Sequence, residues 1–172
     1  MYKYHSELTA THPYSSPWWS WPLMLRPMWY YTGGAAVNGL ISCISAFGNP
    51  AIWWGGVAAF WISIPVAIVK KDKRLALLII GYLSQYLPWM LVPRIVFIYH
   101  YFASVPFVIM IIVFLFQHLE KASPKFKKIT YAYIGLTLVL FCMFYPVISG
   151  VSVSRDYVMH ALRWFDSWVF FT

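Results

Sequence analysis

Five acidic residues, Glu7, Asp72, Glu120, Asp156 and Asp166, are the whole supply of carboxylates in 172 residues. General acid and base work at a glycosidic, acyl or phosphoryl centre asks for a positioned carboxylate or histidine within hydrogen-bond reach of the reacting proton. None of the five forms a pair, the histidines show no metal-ligand spacing, and Gly33-Gly34 and Gly55-Gly56 lack the companion residues of a phosphate loop. No catalytic residue, no metal site and no cofactor is assigned on these grounds.

Cations are better placed than acids. Arg94 is followed by FIYHYF, which sets Tyr99, His100 and Tyr101 close behind it at the start of a long apolar run. An unpaired arginine is expensive at mid-membrane, so Arg94 belongs at the surface, either as an anchor beside tyrosines or as the holder of an anion such as a lipid phosphate. At helical spacing His100 lies about 120° around from Arg94, so the two converge only if the helix start is unwound near Pro93. His100 otherwise reads as a hydrogen-bond partner for a neighbouring span, and Gln85 as a polar link between helices.

A second group of polar residues, His12, Tyr14, Ser15, Ser16 and Arg26, lies in THPYSSPWWSWPLMLRPMWYY, Thr11 to Tyr31. Seven of the twenty residues from His12 to Tyr31 are Trp or Tyr, and Pro13, Pro17, Pro22 and Pro27 prevent a regular helix. Such rings favour the headgroup level of a bilayer, so the stretch is expected to lie as an aromatic plate over one mouth of a helix bundle.

The elements that must position these groups follow from composition. With 61% hydrophobic and 10% charged residues, the chain is an integral membrane protein. The net charge of +8 is no nucleic-acid footprint, because eight of thirteen basic residues sit in two clusters, Lys70 to Arg74 and Lys121 to Lys128, between apolar runs. The expected fold class is all-α integral membrane, with four transmembrane helices at about 50–69, 75–92, 95–116 and 129–149. Residues 1–49 form an external aromatic loop region, 50–149 the bundle, and 150–172 an interfacial amphipathic helix and tail. Within the first region, Asn38-Gly39 suits a hairpin turn, and a short helix over 40–47 is the alternative. Four crossings place both basic loops in the cytoplasm and both termini outside. Pro65, Pro88, Pro106 and Pro146 read as kinks. From Arg155 to Val169 the polar and apolar residues divide at 100° per residue, as in a helix lying flat in the interface. Cys43 and Cys142 lie too far apart to bridge, and no cleavable signal peptide is visible in the first dozen residues. A polar start leading straight into an interfacial plate implies a further segment upstream.

Four stretches, HPYSSPWWSWPLMLRPMWYY, GNPAIWW at 48–54, PRIVFIYHYF at 93–102 and RWFDSWVF at 163–170, resemble in order and spacing the C-terminal four-span region of protein O-mannosyltransferases, in a bacterial member. The resemblance implies a C-type glycosyltransferase that moves mannose from a polyprenyl- or dolichyl-phosphate donor to Ser or Thr hydroxyls of an acceptor protein at the outer face of the cell membrane. It implies donor or substrate binding by His12, Tyr14, Ser16, Trp21 and Arg26 of the loop over the cavity, and by Arg94, Tyr99, His100 and Tyr101. The family's base is an acidic residue in an N-terminal half, so this chain alone is expected to be inactive and to need that half or a partner chain. A non-catalytic module that binds membrane lipid or a partner glycosyltransferase is the alternative.

Overall fold

The computed structural model describes residues 11–33 and 39–171. The Asn38 turn position and Glu7 lie outside the described residues. Among the described residues, three helices are long and apolar enough to cross a membrane. They are α1 (Pro50–Lys70), α3 (Val105–Ala122) and α4 (Lys127–Ser149), the last preceded by the 3-10 turn Pro124–Phe126. Between them α2 (Lys73–Tyr86) continues as a 3-10 turn over Leu87–Leu91.

Local chemistry explains the boundaries. The Asn49 side chain accepts from the Ala51 N–H, with Pro50 at the first helical turn, and α1 ends at Lys71 in the left-handed region. Asp72 then caps α2 by accepting from the Arg74 and Leu75 N–H groups, and the Arg74 guanidinium with these bonds holds its carboxyl below the usual range. Pro88 falls just where α2 gives way to the 3-10 turn.

The expected third span is displaced. Its helix begins at Val105, not at Ile95, and residues 93–97 run without regular structure into a 3-10 segment, Ile98–Ala103. Pro93 disfavours helix at Val92, which is extended at φ −85° and ψ 110°. The aromatic and β-branched run after it favours an extended path, and Pro106 occupies the first turn of α3 instead of kinking its middle. Pro65 and Pro146 do lie within helices.

The fold is not purely helical. Strand β1 (Met28–Thr32) pairs antiparallel with β3 (Cys43–Ala46), Trp29 opposite Ser45 and Tyr31 opposite Ile44, so Tyr30 is the extra residue of a bulge. β2 (Leu40–Ile41) pairs with β4 (Val153–Ser154). These strands replace the alternative of a short helix over 40–47, and Cys43 and Cys142 are both free.

The tail is not one flat helix either. It turns through α5 (Arg155–Tyr157) and a π-helical turn, Val158–Leu162, and then leaves helical geometry. The Trp164 indole donates to Ala161 O at 2.8 Å and Arg163 bonds to Asp166 O at 3.0 Å, so side chains take over the main-chain carbonyls that a longer helix would need. Val158, Leu162, Trp168 and Phe170 are buried, against the plate and the bundle rather than lipid, while Arg155, Asp156, His160, Asp166 and Ser167 remain exposed.

The bundle core sits between α1, α2 and α3. Gly56 gives α3 its close approach, since a Cβ there would meet Val108 Cγ1 at 2.1 Å. Tyr82, Tyr86 and Tyr101 form an aromatic group at the end of this core nearest the plate. Gln85 is exposed on α2 and makes no hydrogen bond within the described residues, so it does not link the described helices.

Candidate functional site

The plate lies on the segment that connects α2 to α3, and the two bring most of the candidate residues together. Pro13, Pro17, Pro22 and Pro27 break the plate into turns whose N–H groups must find other acceptors. The Ser16 N–H donates to Val96 O at 2.9 Å, which joins plate to connector main chain to main chain. The Trp21 indole N–H donates to Ser16 O and to Ser16 Oγ, at 3.1 and 3.0 Å. Trp21 is 1% exposed, stacked on His100 at 5.9 Å and set edge-on to Trp89 at 5.7 Å. His12 accepts from the Tyr14 N–H and places its ring edge-on to Phe97 at 5.1 Å. Tyr14 is buried against Trp29, and desolvation pushes its hydroxyl pKa up, with the Arg26 charge opposing.

Arg94 is exposed. With Ser15, Ser16, Pro17, Ile95 and Val96 it lines an open cleft of about 170 Å³ at the seam between plate and connector. Among the described residues the ion pairs are Asp72 with Arg74 and Arg163 with Asp166. Neither Arg94 nor Arg26 has a carboxylate partner there.

The unwound start of the expected third span removes the angular obstacle between Arg94 and His100. Burial lowers the His100 pKa from the ordinary histidine value, the Arg94 charge lowers it further, and the bond to the Phe97 main chain opposes both. Tyr99 stacks on Phe97 at 5.5 Å and approaches Tyr30 at 6.3 Å. Tyr101 faces the other way: it is 2% exposed, 3.2 Å from the Tyr82 hydroxyl and packed on Trp53, inside the bundle. Trp89 and Phe97, which complete the packing around His100, carried no signal beyond apolar character in the sequence.

A pH dependence follows from the His100 shift. A histidine whose folded pKa lies below its unfolded value of about 6.5 destabilises the docked plate once protonated. Plate docking is therefore expected to be at full strength above about pH 6.5 and to weaken as pH falls from there through the lowered folded value. Thermal midpoints followed by tryptophan fluorescence between neutral and mildly acidic pH check this. The slope should disappear in His100→Gln, and a slope unchanged in that variant assigns it to another group.

A clamp behind the cleft holds the plate from the far side. Trp21 to Met24 form a turn that ends with Met24 in the left-handed region, φ 56°. Three successive carbonyls there receive donors from distant chain: Leu23 O from the Trp54 indole at 3.0 Å, Met24 O from the Trp168 indole at 2.8 Å, and Leu25 O from the Ser167 hydroxyl. Trp168 is fully buried among Phe47, Phe144, Phe165 and Phe170.

The family described as the C-terminal four TMM region of protein-O-mannosyltransferase matches residues 1–168. A polyprenol-phosphate-mannose protein mannosyltransferase of Mycolicibacterium smegmatis is 26% identical, over 97% of this chain and 36% of its own length. The relative of the same description in Corynebacterium glutamicum is 28% identical, over 96% of this chain and 35% of its own. The solved Pmt1-Pmt2 complex of S. cerevisiae bound to the sugar donor has the same fold, with a TM-score of 0.82 at 19% identity, over 98% of this chain and 25% of that one. The chain spans about a third of the length of these bacterial relatives.

Proposed function

Because the chain belongs to the family of the C-terminal four-transmembrane region of protein O-mannosyltransferases, we propose that it is the membrane domain of an enzyme that moves mannose from a polyprenyl-phosphate donor to Ser or Thr hydroxyls of an acceptor protein. The observation that carries this reading is the cleft where Arg94, without a carboxylate partner among the described residues, meets Ser15 and Ser16 of the plate. In such a transfer the hydroxyl oxygen attacks the anomeric carbon, the bond to the phosphate oxygen breaks, and the lipid phosphate leaves with the electron pair. A guanidinium at the headgroup level stabilises the charge that develops there. Arg26, His12 and Tyr14 complete the polar rim of the donor site in this reading. Trp21, Tyr99 and His100 hold the rim in place, and Tyr101 supports it from within the bundle.

Four crossings fit this role. The fourteen residues of α2 and the five of its 3-10 extension rise about 31 Å together, matching the hydrocarbon thickness. The lysine loops then face the cytoplasm, and the plate and both ends of the chain face outward. The division into an outer loop region over 1–49, a bundle over 50–149 and an outer tail over 150–172 follows that topology. The carboxylate base that takes the hydroxyl proton is supplied by another part of the enzyme, as one half of a longer polypeptide or as a partner chain.

Arg94→Ala in the complete enzyme tests the reading. Loss of a charge-assisted contact worth about 1.5 to 3 kcal/mol should lower use of the lipid-phosphate donor about 10- to 100-fold while the KM for acceptor peptide stays unchanged. Arg94→Lys should fall between, since a point charge replaces a fork of donors. Two-substrate kinetics decide the matter, and equal losses toward donor and acceptor remove the phosphate role.

A further inference from the structure

Helices α3 and α4 are neighbours in the chain, joined by a short turn, yet they do not close on one another along their length. Near the loop they are bridged by the Phe116 and Tyr133 rings, 5.1 Å apart, and by the Thr130 hydroxyl donating to Glu120 at 2.6 Å. Farther out α4 leans on α1 instead, through the Tyr133 hydroxyl on Ala51 O at 2.9 Å and the Asn49 amide on Thr137 O at 2.9 Å. Gly55 permits this, since a Cβ there would meet the Tyr133 hydroxyl at 2.6 Å.

The result is a cleft divided in two by the ring pair. One groove, of about 270 Å³, runs against Gly55, Ala59, Ile62 and Val66 of α1 and Leu115 and Leu119 of α3. The other, of about 390 Å³, runs along Ile109, Val113 and Gln117 of α3 and Ile134, Thr137 and Leu138 of α4. Both share Ile112, Phe116 and Tyr133 as their common wall. From Ile109 to Glu120 the second groove follows about 16 Å of helix, a long and narrow apolar path.

Apart from Thr137 and Tyr133, whose hydroxyls already donate to main-chain carbonyls, the polar lining gathers at one end. His118 in the first groove and Gln117, Glu120 and Thr130 in the second lie toward the loop, where Lys121, Lys125, Lys127 and Lys128 follow. These four lysines are exposed and have no carboxylate partner among the described residues, and Glu120 already accepts the Thr130 hydroxyl. A transmembrane helix, 10 to 12 Å across, does not enter a cleft pinched by rings 5.1 Å apart, whereas single hydrocarbon chains do.

We propose that this cleft holds one anionic diacyl phospholipid of the leaflet at the lysine loops, with one acyl chain on each side of the Phe116 and Tyr133 pair and its phosphate among the lysines. Two grooves converging on one cationic mouth match two chains converging on one anionic headgroup. The lysines supply attraction at the membrane surface, and the grooves supply the alignment that a bare basic loop lacks. The site lies at the opposite end of α3 from Arg94, so it is separate from the donor cleft.

Native mass spectrometry of the full chain released from mild detergent tests the proposal, with dioleoyl phosphatidylglycerol and dioleoyl phosphatidylcholine added in equal amounts. One phosphatidylglycerol should stay bound at collision energies that strip phosphatidylcholine. Changing Lys121, Lys127 and Lys128 together to Gln should reduce the preference about 10-fold, and Ile134→Trp, at an exposed position that fills the second groove, should weaken retention of both lipids. Equal retention of the two lipids by the wild type, an unchanged preference in the lysine variant, or retention unaffected by Ile134→Trp overturns it. None of these readouts depends on mannosyl transfer, so the outcome is independent of the catalytic reading.

Discussion

Trp21→Ala is expected to cost about 3 to 5 kcal/mol, the range for removing a buried tryptophan. The ring is almost wholly enclosed, lies between His100 and Trp89, and sends its N–H to two atoms of Ser16. Alanine would leave a cavity at the seam and orphan the Ser16 carbonyl in the same step. Because Ser16 also carries the main-chain bond to Val96, the plate should detach from the connector before the helices separate. In detergent, limited proteolysis should then cut between residues 12 and 31 while fragments containing the three long helices persist, and in the complete enzyme mannosyl transfer should fall with the lost order. Trp21→Phe keeps most of the volume and loses only the N–H bonds, so about 1 kcal/mol is expected for it. A Trp21→Ala protein within 1 kcal/mol of wild type and equally resistant to protease would show that the plate is held elsewhere.

The second large effect concerns the chain by itself. Purified alone and supplied with lipid-phosphate mannose and acceptor peptide, it is expected to transfer no mannose above background, and activity should return when the remaining part of the longer relatives' architecture is present. Each described carboxylate is committed or remote from the cleft. Asp72 caps α2 and pairs with Arg74, Glu120 accepts the Thr130 hydroxyl at the lysine end, and Asp156 and Asp166 lie exposed on the tail. A positioned base contributes about 10² to 10⁴ in rate, and nothing described beside Arg94 supplies one. Robust transfer by the isolated chain would contradict this and would require a base nearer the cleft. Failure of transfer even with the complementary half would instead favour a lipid- or partner-binding module.

Helices Pro50–Lys70 and Lys127–Ser149 cover the apolar runs over 50–69 and 129–149, because an uninterrupted apolar run of bilayer length has few alternatives to helix. The third helix begins ten residues after Ile95, because Ile95 to Ile98 are as apolar in an extended path as in a helix. Hydropathy cannot separate those states; the two prolines and the His100 ring competing for main-chain partners at Phe97 do. The amphipathic division of the tail holds for Val158, Leu162 and Trp168, yet it does not reveal that all three are buried within the chain, Trp168 against the plate. Arg94 and Ser16 line one cleft because the Ser16 to Val96 bond joins segments eighty residues apart, a juxtaposition that hydropathy and spacing do not show. The plate itself divides in a way composition does not show: Trp21 is enclosed, whereas Trp19, three-fifths exposed at 56%, faces outward.

The clamp on Leu23, Met24 and Leu25 uses only the carbonyl oxygens of those residues, while the donors are the specific side chains of Trp54, Ser167 and Trp168. Substitution tolerance should therefore be lopsided across one set of bonds. The accepting positions are free to exchange side chains of similar bulk, because any amino acid brings the same oxygen, but the donating positions have almost no substitutes. Evolutionary drift can thus rewrite the acceptor side of the fastening while its geometry persists, provided the two indoles and the hydroxyl stay where they are.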